Sequence, residues 1–246
     1  MLKIVALTKQ FGHTPVLCGV DLDIRPGRVT ALVGPNGAGQ TTLIKCVLGL
    51  TRADSGKILV DGERVTDDPG YRANIGYMPQ IARFPDNLTG AELLAMLADL
   101  RGTTLPPMDT DTRVDDADDL IHQFSLTDQL HKPLRTLSGG TKQKVNAVLA
   151  FLFDPDLLIL DEPTGGLDPV SSSVLKDRIL AERARGCTII MASHVMSELE
   201  ELADDVVFLL DGTVRFAGPL HDLKRTTREL SLERAIARMM RTENAA

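Results

Sequence analysis

The feature that most constrains this chain is a glycine-rich loop that joins an apolar strand to a helix, between Ala31 and Lys45. Glycines allow the sharp turns that aim successive backbone N–H groups at an anion, and the helix that follows adds the positive end of its dipole. The segment matches the pattern of glycine, four residues, glycine, lysine and serine or threonine, except that Gln40 stands at the lysine position. Taken alone, the loop could also be an incidental turn. The predicted phosphate cradle consists of Gly34, Pro35, Asn36, Gly37, Ala38, Gly39, Gln40, Thr41 and Thr42.

Two adjacent carboxylates follow the continuous apolar run at residues 157–160, which is typical of a buried parallel strand. Neighbouring side chains at a strand end diverge, so that Asp161 and Glu162 can serve different purposes. Magnesium favours one or two carboxylates together with phosphate oxygens and water, which suits Asp161 acting with Thr41. Glu162 would then orient the water that attacks a phosphate. The alternative interpretation is a solvated acidic turn.

A second glycine turn, Ser138-Gly139-Gly140, opens another predicted helix and offers a second set of free N–H groups. A single chain that binds one nucleotide has no obvious use for two cradles.

Apolar strands alternate with helical segments along most of the chain, which predicts a parallel sheet with right-handed crossovers. Residues 2–25 and 57–65 instead predict an antiparallel β region, and residues 84–135 predict an inserted helical segment with a surface loop at 103–117. A helix at 197–203 is predicted to begin with the capping box Ser197-x-x-Glu200. The predicted core strands are 29–33, 75–78, 157–160, 188–192 and 206–210.

The composition of the 246 residues, 43% hydrophobic and 25% charged, is sufficient for a full core. No apolar run approaches the ~20 residues that cross a bilayer, and no secretory signal is evident, so we expect a cytoplasmic protein. The net charge of −7, without a basic stripe, argues against nucleic acid as the principal partner. Three widely spaced cysteines suggest no zinc site.

The order and spacing of six motifs resemble those of the ATP-binding cassette (ABC) ATPases over residues 1–220. The resemblance implies a P-loop α/β fold with a parallel core sheet, an N-terminal antiparallel β subdomain and an inserted helical subdomain. Beyond it, the charged segment at 221–246 predicts a helical tail with Leu232, Ile236 and Met239 or Met240 along one side. The six motifs are the cradle, the isolated Gln80, Leu137-Ser138-Gly139-Gly140, Asp161-Glu162, Gly166-Leu167-Asp168 and Ser193-His194.

The same resemblance implies that ATP and Mg²⁺ bind between two copies of the chain arranged head to tail, each nucleotide lying between one cradle and the partner's Ser138–Gly140 turn. Phe11 would stack on adenine, although core packing is an equally good reading of a lone aromatic residue. Asp168 would signal across the dimer, and His194 would contact the γ-phosphate, although a lone histidine is more often structural. Gln80 would sense the metal and the water, so that the implied metal ligands are Thr41, Gln80 and Asp161.

Gln40 departs from the family pattern at its charged position. A neutral amide cannot neutralise charge that develops on the phosphates, so we expect weak binding and turnover reduced by orders of magnitude. An engineered or drifted lysine position in an otherwise complete ATPase is our interpretation, because Glu162 and His194 are still present.

Within the family, the chain is similar to single-cassette exporter ATPases. With no membrane segment of its own, it would need a separate transmembrane permease on the cytoplasmic face of the inner membrane, contacted through the helical segment and the residues after Gln80. Two other classes stay open: a regulatory module that binds ATP without hydrolysing it, and a soluble cassette protein of DNA repair or translation.

Overall fold

The computed structural model describes residues 1–66, 68–102 and 116–243, which form two sheets and the helices that cover them. In chain order the strands are β1 (Leu2–Phe11), β2 (Thr14–Ile24), β3 (Val29–Val33), β4 (Ser55–Val60), β5 (Glu63–Arg64), β6 (Ile75–Met78), β7 (Leu157–Asp161), β8 (Thr188–Ala192), β9 (Asp205–Leu210) and β10 (Thr213–Pro219). The helices are α1 (Gln40–Val47), α2 (Gly90–Leu100), α3 (Asp116–Gln123), α4 (Gly139–Phe151), α5 (Pro169–Ala184), α6 (Met196–Leu202), α7 (Leu220–Thr227) and α8 (Leu232–Glu243).

The larger sheet has the strand order β10-β9-β3-β8-β7-β6, and every neighbouring pair in it is parallel except β9 with β10. Every residue of β3, β7, β8 and β9 is buried. Helices on both faces of a parallel sheet exclude water from it, which is why these strands are continuous apolar runs rather than alternating ones. The predicted parallel core sheet is confirmed.

The smaller sheet is antiparallel, with the order β2-β1-β4-β5, and confirms the predicted N-terminal β region. Leu2 pairs with Ile24 on one side and with Val60 on the other. The buried face of this sheet packs in one hydrophobic cluster with the apolar face of α1, which includes Leu43 and Val47. The helix after the glycine loop is therefore held between the two sheets.

Helices α2 and α3 lie in the predicted helical segment between β6 and α4. α2 begins with a capping box in which the Thr89 side chain accepts from the Glu92 N–H and Glu92 accepts from the Thr89 N–H. Leu94 and Leu120 are both buried in the main hydrophobic cluster. Most of the predicted surface loop, residues 103–115, lies outside the described residues.

Helix α6 corrects the prediction for residues 197–203. It begins at Met196 after Val195, without a side-chain cap, so the predicted capping box at Ser197 is wrong. Glu200 instead accepts from the Leu232 N–H at 3.0 Å and pairs with Lys224, both in the C-terminal segment. The Glu200 carboxylate, which a capping box would use within α6, is instead bound by residues distant in sequence.

The two C-terminal helices are packed on the core. Leu223, Leu232 and Ile236 are buried in the main hydrophobic cluster, and the latter two belong to the predicted apolar side of the tail. The preceding strand β10 was not predicted. Within the described ranges, no helix combines the length and apolar character that crossing a membrane requires.

We predict that Gly76→Ala destabilises the fold by about 3 kcal/mol, the upper part of the range for overpacked cores. A Cβ at Gly76 would lie 2.1 Å from the Ala150 carbonyl oxygen and 2.7 Å from Leu158 Cδ2, and the backbone atom cannot move aside without shifting α4. Urea unfolding at 25 °C measures the change. The control Gly218→Ala adds the same methyl group where the nearest atom is 3.4 Å away, and should leave stability unchanged. Equal stability of the two variants would contradict the prediction.

Candidate functional site

The carboxyl ends of four neighbouring parallel strands carry most of the predicted site. β3 leads into the glycine loop, β8 into Ser193 and His194, β7 ends at Asp161, and β6 is followed by Pro79 and Gln80. Because these strands run in the same direction, their ends meet at one edge of the sheet. In open α/β sheets this edge is where ligands bind.

Close packing of the glycine loop explains two of its glycines. A Cβ at Gly34 would lie 2.3 Å from the Leu209 carbonyl oxygen, and one at Gly39 would lie 2.8 Å from the Val16 carbonyl oxygen. Gly39 also has a φ of 106°, a conformation that favours glycine. Gly37, with a φ of 84°, faces open space. The loop is thus fixed on its inner side and open on its outer side.

The start of α1 has the unpaired donors that an anion requires. Gly39 precedes the helix without a side-chain cap, and its first turn contains no acidic residue. Within residues 1–66, 68–102 and 116–243, no acceptor receives the backbone N–H groups of residues 39–42. Free N–H groups at a helix N-terminus, on an open glycine loop, fit a phosphate.

The Gln40 side chain turns back toward the strand that precedes the loop. Its Nε2 donates to the Leu32 carbonyl oxygen at 3.1 Å. A neutral amide therefore occupies the position of the pattern's cation, and one of its two N–H donors is already in use by the chain's own backbone.

Both carboxylates after β7 lie in a partly desolvated environment. Burial raises the pKa of Asp161, and electrostatic interactions with His194 and Lys45 oppose that change. Burial likewise raises the pKa of Glu162, again opposed by His194, whose Nε2 lies 3.7 Å from Glu162 Oε1. Ser193 Oγ donates to Glu162 Oε2 at 3.4 Å. The two carboxylates and the histidine thus form one electrostatic unit.

Glu162 also has a strained backbone. Its φ is 51°, an uncommon value for a residue other than glycine, and its N–H donates to the Ala192 carbonyl oxygen at 2.8 Å. Such strain is concentrated at functional sites, where the surrounding structure enforces it.

Phe11 lies at the end of β1, and its side chain is 53% exposed. The core-packing interpretation is therefore wrong. Its hairpin leads into Val16 and Leu17, the residues that a Cβ on Gly39 would contact. An exposed ring on a hairpin that borders the loop is available for stacking. Gln80 is also exposed and lies beyond the end of β6.

The second glycine turn forms a separate feature. Ser138 Oγ caps α4 by accepting from the Thr141 N–H at 3.1 Å, and a Cβ on Gly139 would meet nothing within 4 Å. Among the described residues, no hydrogen bond or ion pair joins Ser138–Gly140 to the glycine loop. The turn contacts a different loop, because a Cβ at Gly140 would lie 2.9 Å from the Gly166 carbonyl oxygen.

Asp168 fixes the loop next to this turn. Its carboxylate accepts from the Ser171 N–H at 2.9 Å and from Ser171 Oγ at 2.7 Å, and Lys144 of α4 lies 3.1 Å away. These hydrogen bonds and the Lys144 ammonium hold the pKa of Asp168 well below its usual range. This cap starts α5 at Pro169.

The predicted metal ligands form a sparse oxygen set. No group of three or more histidine, cysteine, aspartate or glutamate side chains that could hold a metal exists among the described residues. The threonine hydroxyl of Thr41, the buried carboxylate of Asp161 and the amide of Gln80 fit Mg²⁺, which usually takes its remaining ligands from phosphate and water.

Sequence reasoning missed three residues around this site. Lys45 lies one helical turn after Thr41 and contributes positive charge at Asp161. Gln143 and Asn146 are buried amides on α4 that reach the backbone beside Glu162 and Gln80. Asn146 interrupts the apolar run at 145–151, which was the available signal for it, whereas Gln143 lies between two lysines and gave none.

Three comparisons with known proteins agree with this geometry. Residues 17–165 match the family described as ABC transporter. The Nod factor export ATP-binding protein I of Ralstonia nicotianae is 32% identical over 227 residues, which cover 91% of this chain and 68% of that protein. The solved structure of an ATP-binding subunit of an ABC transporter is 32% identical, with a TM-score of 0.89 over 98% of this chain and 99% of that chain. A dimeric bacterial ABC transporter cassette, 22% identical with a TM-score of 0.77 over 89% of this chain and 99% of that chain, shares the fold.

We predict that Asp168→Asn lowers stability at pH 7 and that the difference from the parent chain disappears in acid. The substitution keeps an acceptor for the cap but removes the charge that faces Lys144. Because folding lowers the pKa of Asp168, its contribution is complete above the usual aspartate pKa of about 3.9 and is lost as the pH falls through the lower value in the fold.

Urea unfolding between pH 7 and pH 3 measures the onset of this loss: the stability gap should be constant near neutral pH and should begin to narrow below about pH 4, because the pKa of Asp168 in the fold lies below this range. The control Asp99→Asn removes an exposed aspartate of α2 and should give no such pH-dependent gap. A gap that widens as the pH falls would show that the sign is wrong.

Proposed function

This chain belongs to the ABC transporter family, and we propose that it is the ATP-binding and ATP-hydrolysing subunit that powers an exporter, with turnover reduced by Gln40. The observation that carries the proposal is the meeting of the glycine loop, Asp161, Glu162 and His194 at one edge of the parallel sheet. That arrangement supports a site in which the loop N–H groups bind phosphate, one carboxylate binds a metal and the other orients water.

The residues would divide the work as follows. The N–H groups of the glycine loop and of α1 bind the phosphates, while Thr41, Asp161 and Gln80 hold Mg²⁺, which neutralises phosphate charge when bound. Glu162, held by Ser193 and facing His194, orients the attacking water and accepts its proton. The raised pKa of Glu162 suits it to that proton transfer. Phe11 stacks on the adenine, and His194 contacts the γ-phosphate.

Gln40 limits this chemistry. Its amide is neutral, and its Nε2 is hydrogen-bonded to Leu32. A lysine would bring a full cation to the β- and γ-phosphates, where charge develops during transfer. The backbone donors do not depend on this side chain, so that weak nucleotide binding survives while hydrolysis is slow.

We further propose a head-to-tail homodimer. The Ser138–Gly140 turn presents an open glycine at a helix N-terminus. Among the described residues, no hydrogen bond joins it to the glycine loop of its own chain. The nucleotide in the glycine loop of a second copy would lie against this turn. Both the glycine loop and the Ser138–Gly140 turn of each chain would then contact nucleotide. Asp168 pairs with Lys144 on the helix that begins with this turn. It would connect the two copies of the dimer.

The transmembrane part of the transporter would be a separate permease, which would hold this subunit at the cytoplasmic face of the inner membrane. Exposed Ile81, Met96 and Leu100, after Gln80 and on α2, offer an apolar surface for that partner. The family relative from Ralstonia nicotianae is an export protein by name, which supports export. The segments at 141–156 and 193–204 are similar to the ATPase subunit of the copper-site maturation transporter of nitrous oxide reductase, which makes that cargo pathway our finer hypothesis.

The alternative is a regulatory module that binds ATP without hydrolysing it. Gln40 favours this alternative, whereas the Glu162–His194 pair argues against it, because binding alone does not need a water-orienting carboxylate. A DNA-repair or translation cassette fits less well, because the net charge of −7 offers no basic surface for nucleic acid.

We predict that Gln40→Lys raises the rate of ATP hydrolysis by about 100-fold or more, the effect typical of restoring one group that stabilises charge in the transition state. Phosphate release with saturating ATP and Mg²⁺ measures the rate. The matched control is the same chain with Glu162→Gln in addition, which should return hydrolysis to the parent level while nucleotide binding persists. Equal rates with and without the lysine would contradict the role of position 40, and a slow Gln40→Lys chain that still binds ATP would favour the regulatory module.

A further inference from the structure

Two amide side chains are buried on one side of α4. Gln143 is 5% exposed and Asn146 is 3% exposed, among neighbours such as Val145 and Val148 that are fully buried. A buried amide costs free energy unless it is hydrogen-bonded, and apolar residues would fill the same space. The presence of two therefore requires partners that only an amide can satisfy.

Those partners are backbone carbonyls at the ends of two core strands. Asn146 Nδ2 donates to the Pro79 carbonyl oxygen at 2.9 Å. Gln143 Nε2 lies 3.3 Å from the Pro163 carbonyl oxygen and 3.4 Å from that of Glu162. Asn146 Nδ2 is also 3.4 Å from Gln143 Oε1, so that the two amides form one network. Of these four contacts, the hydrogen bond from Asn146 Nδ2 to the Pro79 carbonyl oxygen is the shortest.

The carbonyl positions give this network its functional meaning. The Pro79 carbonyl belongs to the peptide bond that leads into Gln80. Of the two carbonyl oxygens near Gln143, one belongs to Glu162 itself. The helix that carries the amides begins with the Ser138–Gly140 turn. One rigid element of 13 residues thus connects an exposed glycine turn to the backbone of two separate site residues.

We propose that Gln143 and Asn146 are positioning residues, which couple the place of the Ser138–Gly140 turn to the placement of Gln80 and Glu162. The inference rests on the proposed function, because the turn must engage a nucleotide for the coupling to matter. A helix moves as a unit, so a shift of its first turn moves both amides, and their hydrogen bonds move the two strand ends together. The partner copy's nucleotide thereby adjusts the water-orienting and metal-sensing residues of this chain.

The test uses the full chain with Gln40→Lys, in which hydrolysis is measurable. Asn146→Leu keeps the branching at Cγ and removes the donor to Pro79, and Asn146→Ala removes the same donor with a smaller side chain. The matched control is Val148→Ala, which removes buried volume two residues away on the same helix, where the side chain has no hydrogen-bond donor to lose. Thermal unfolding of each variant shows how much of any effect is lost stability.

We expect Asn146→Leu to lower kcat about tenfold, the effect of losing a group that orients a ligand or catalytic residue, and to leave the KM for ATP within twofold. Val148→Ala should keep kcat within twofold at a comparable loss of stability. Gln143→Ala combined with Asn146→Leu should cost little more than the single change, because the two amides act together. A kcat loss in Asn146→Leu less than fivefold greater than in Val148→Ala would overturn the proposal.

A second measurement does not depend on hydrolysis. In the chain with both Gln40→Lys and Glu162→Gln, light scattering follows ATP-driven dimerisation as Mg²⁺ is titrated. Asn146→Leu should raise the Mg²⁺ concentration for half-maximal dimer about tenfold, and Val148→Ala should not change it; an unchanged value with Asn146→Leu overturns the inference. If the Gln40→Lys chain neither hydrolyses ATP nor dimerises with it before Asn146 is changed, the proposed function has failed and the coupling falls with it.

Discussion

The parallel pairing of β3, β8, β7 and β6 is the constraint on which the rest of the molecule depends. Hydrogen bonding between strands that run in one direction forces their carboxyl ends to one edge of the sheet, whatever side chains follow. The glycine loop, His194, Asp161 and Gln80 are far apart in sequence and share no local structure. They meet because each lies at or just after the carboxyl end of one of these strands, and the strands are fixed by burial on both faces.

The site at this edge contains several groups whose local environment is energetically unfavourable. Burial raises the pKa of Asp161 and of Glu162, Glu162 has a left-handed backbone, and the first N–H groups of α1 find no acceptor among the described residues. Each of these features costs stability in isolation. Together they fit the proposed binding of an anion with a cation beside it, the environment that phosphoryl transfer requires. Gln40 is the exception, because its side-chain amide donates a hydrogen bond to the Leu32 carbonyl oxygen.

Helix α4 connects this edge to the outer surface of the chain. Its first turn is capped by Ser138 and exposed, its Lys144 reaches Asp168, and its buried amides reach the backbone at Pro79 and Pro163. Polar contacts of this kind are directional, whereas the apolar packing around them is not. The position of one helix therefore bears on several site residues at once, although it contributes no atom to the cradle itself.

The sequence by itself determined the order of the motifs, the parallel core and most element positions, since these depend on local patterns of apolar residues and glycine. Strands 75–78 and 188–192 lie at their predicted residues, and the family assignment followed from the same motifs. Tertiary structure alone decided that Glu200 binds Lys224 rather than capping α6, that Phe11 is exposed, and that Gln143 and Asn146 reach two strand ends. The reason is physical: a hydrogen-bonding side chain takes the partner that folding brings nearest, and such partners can be distant in sequence.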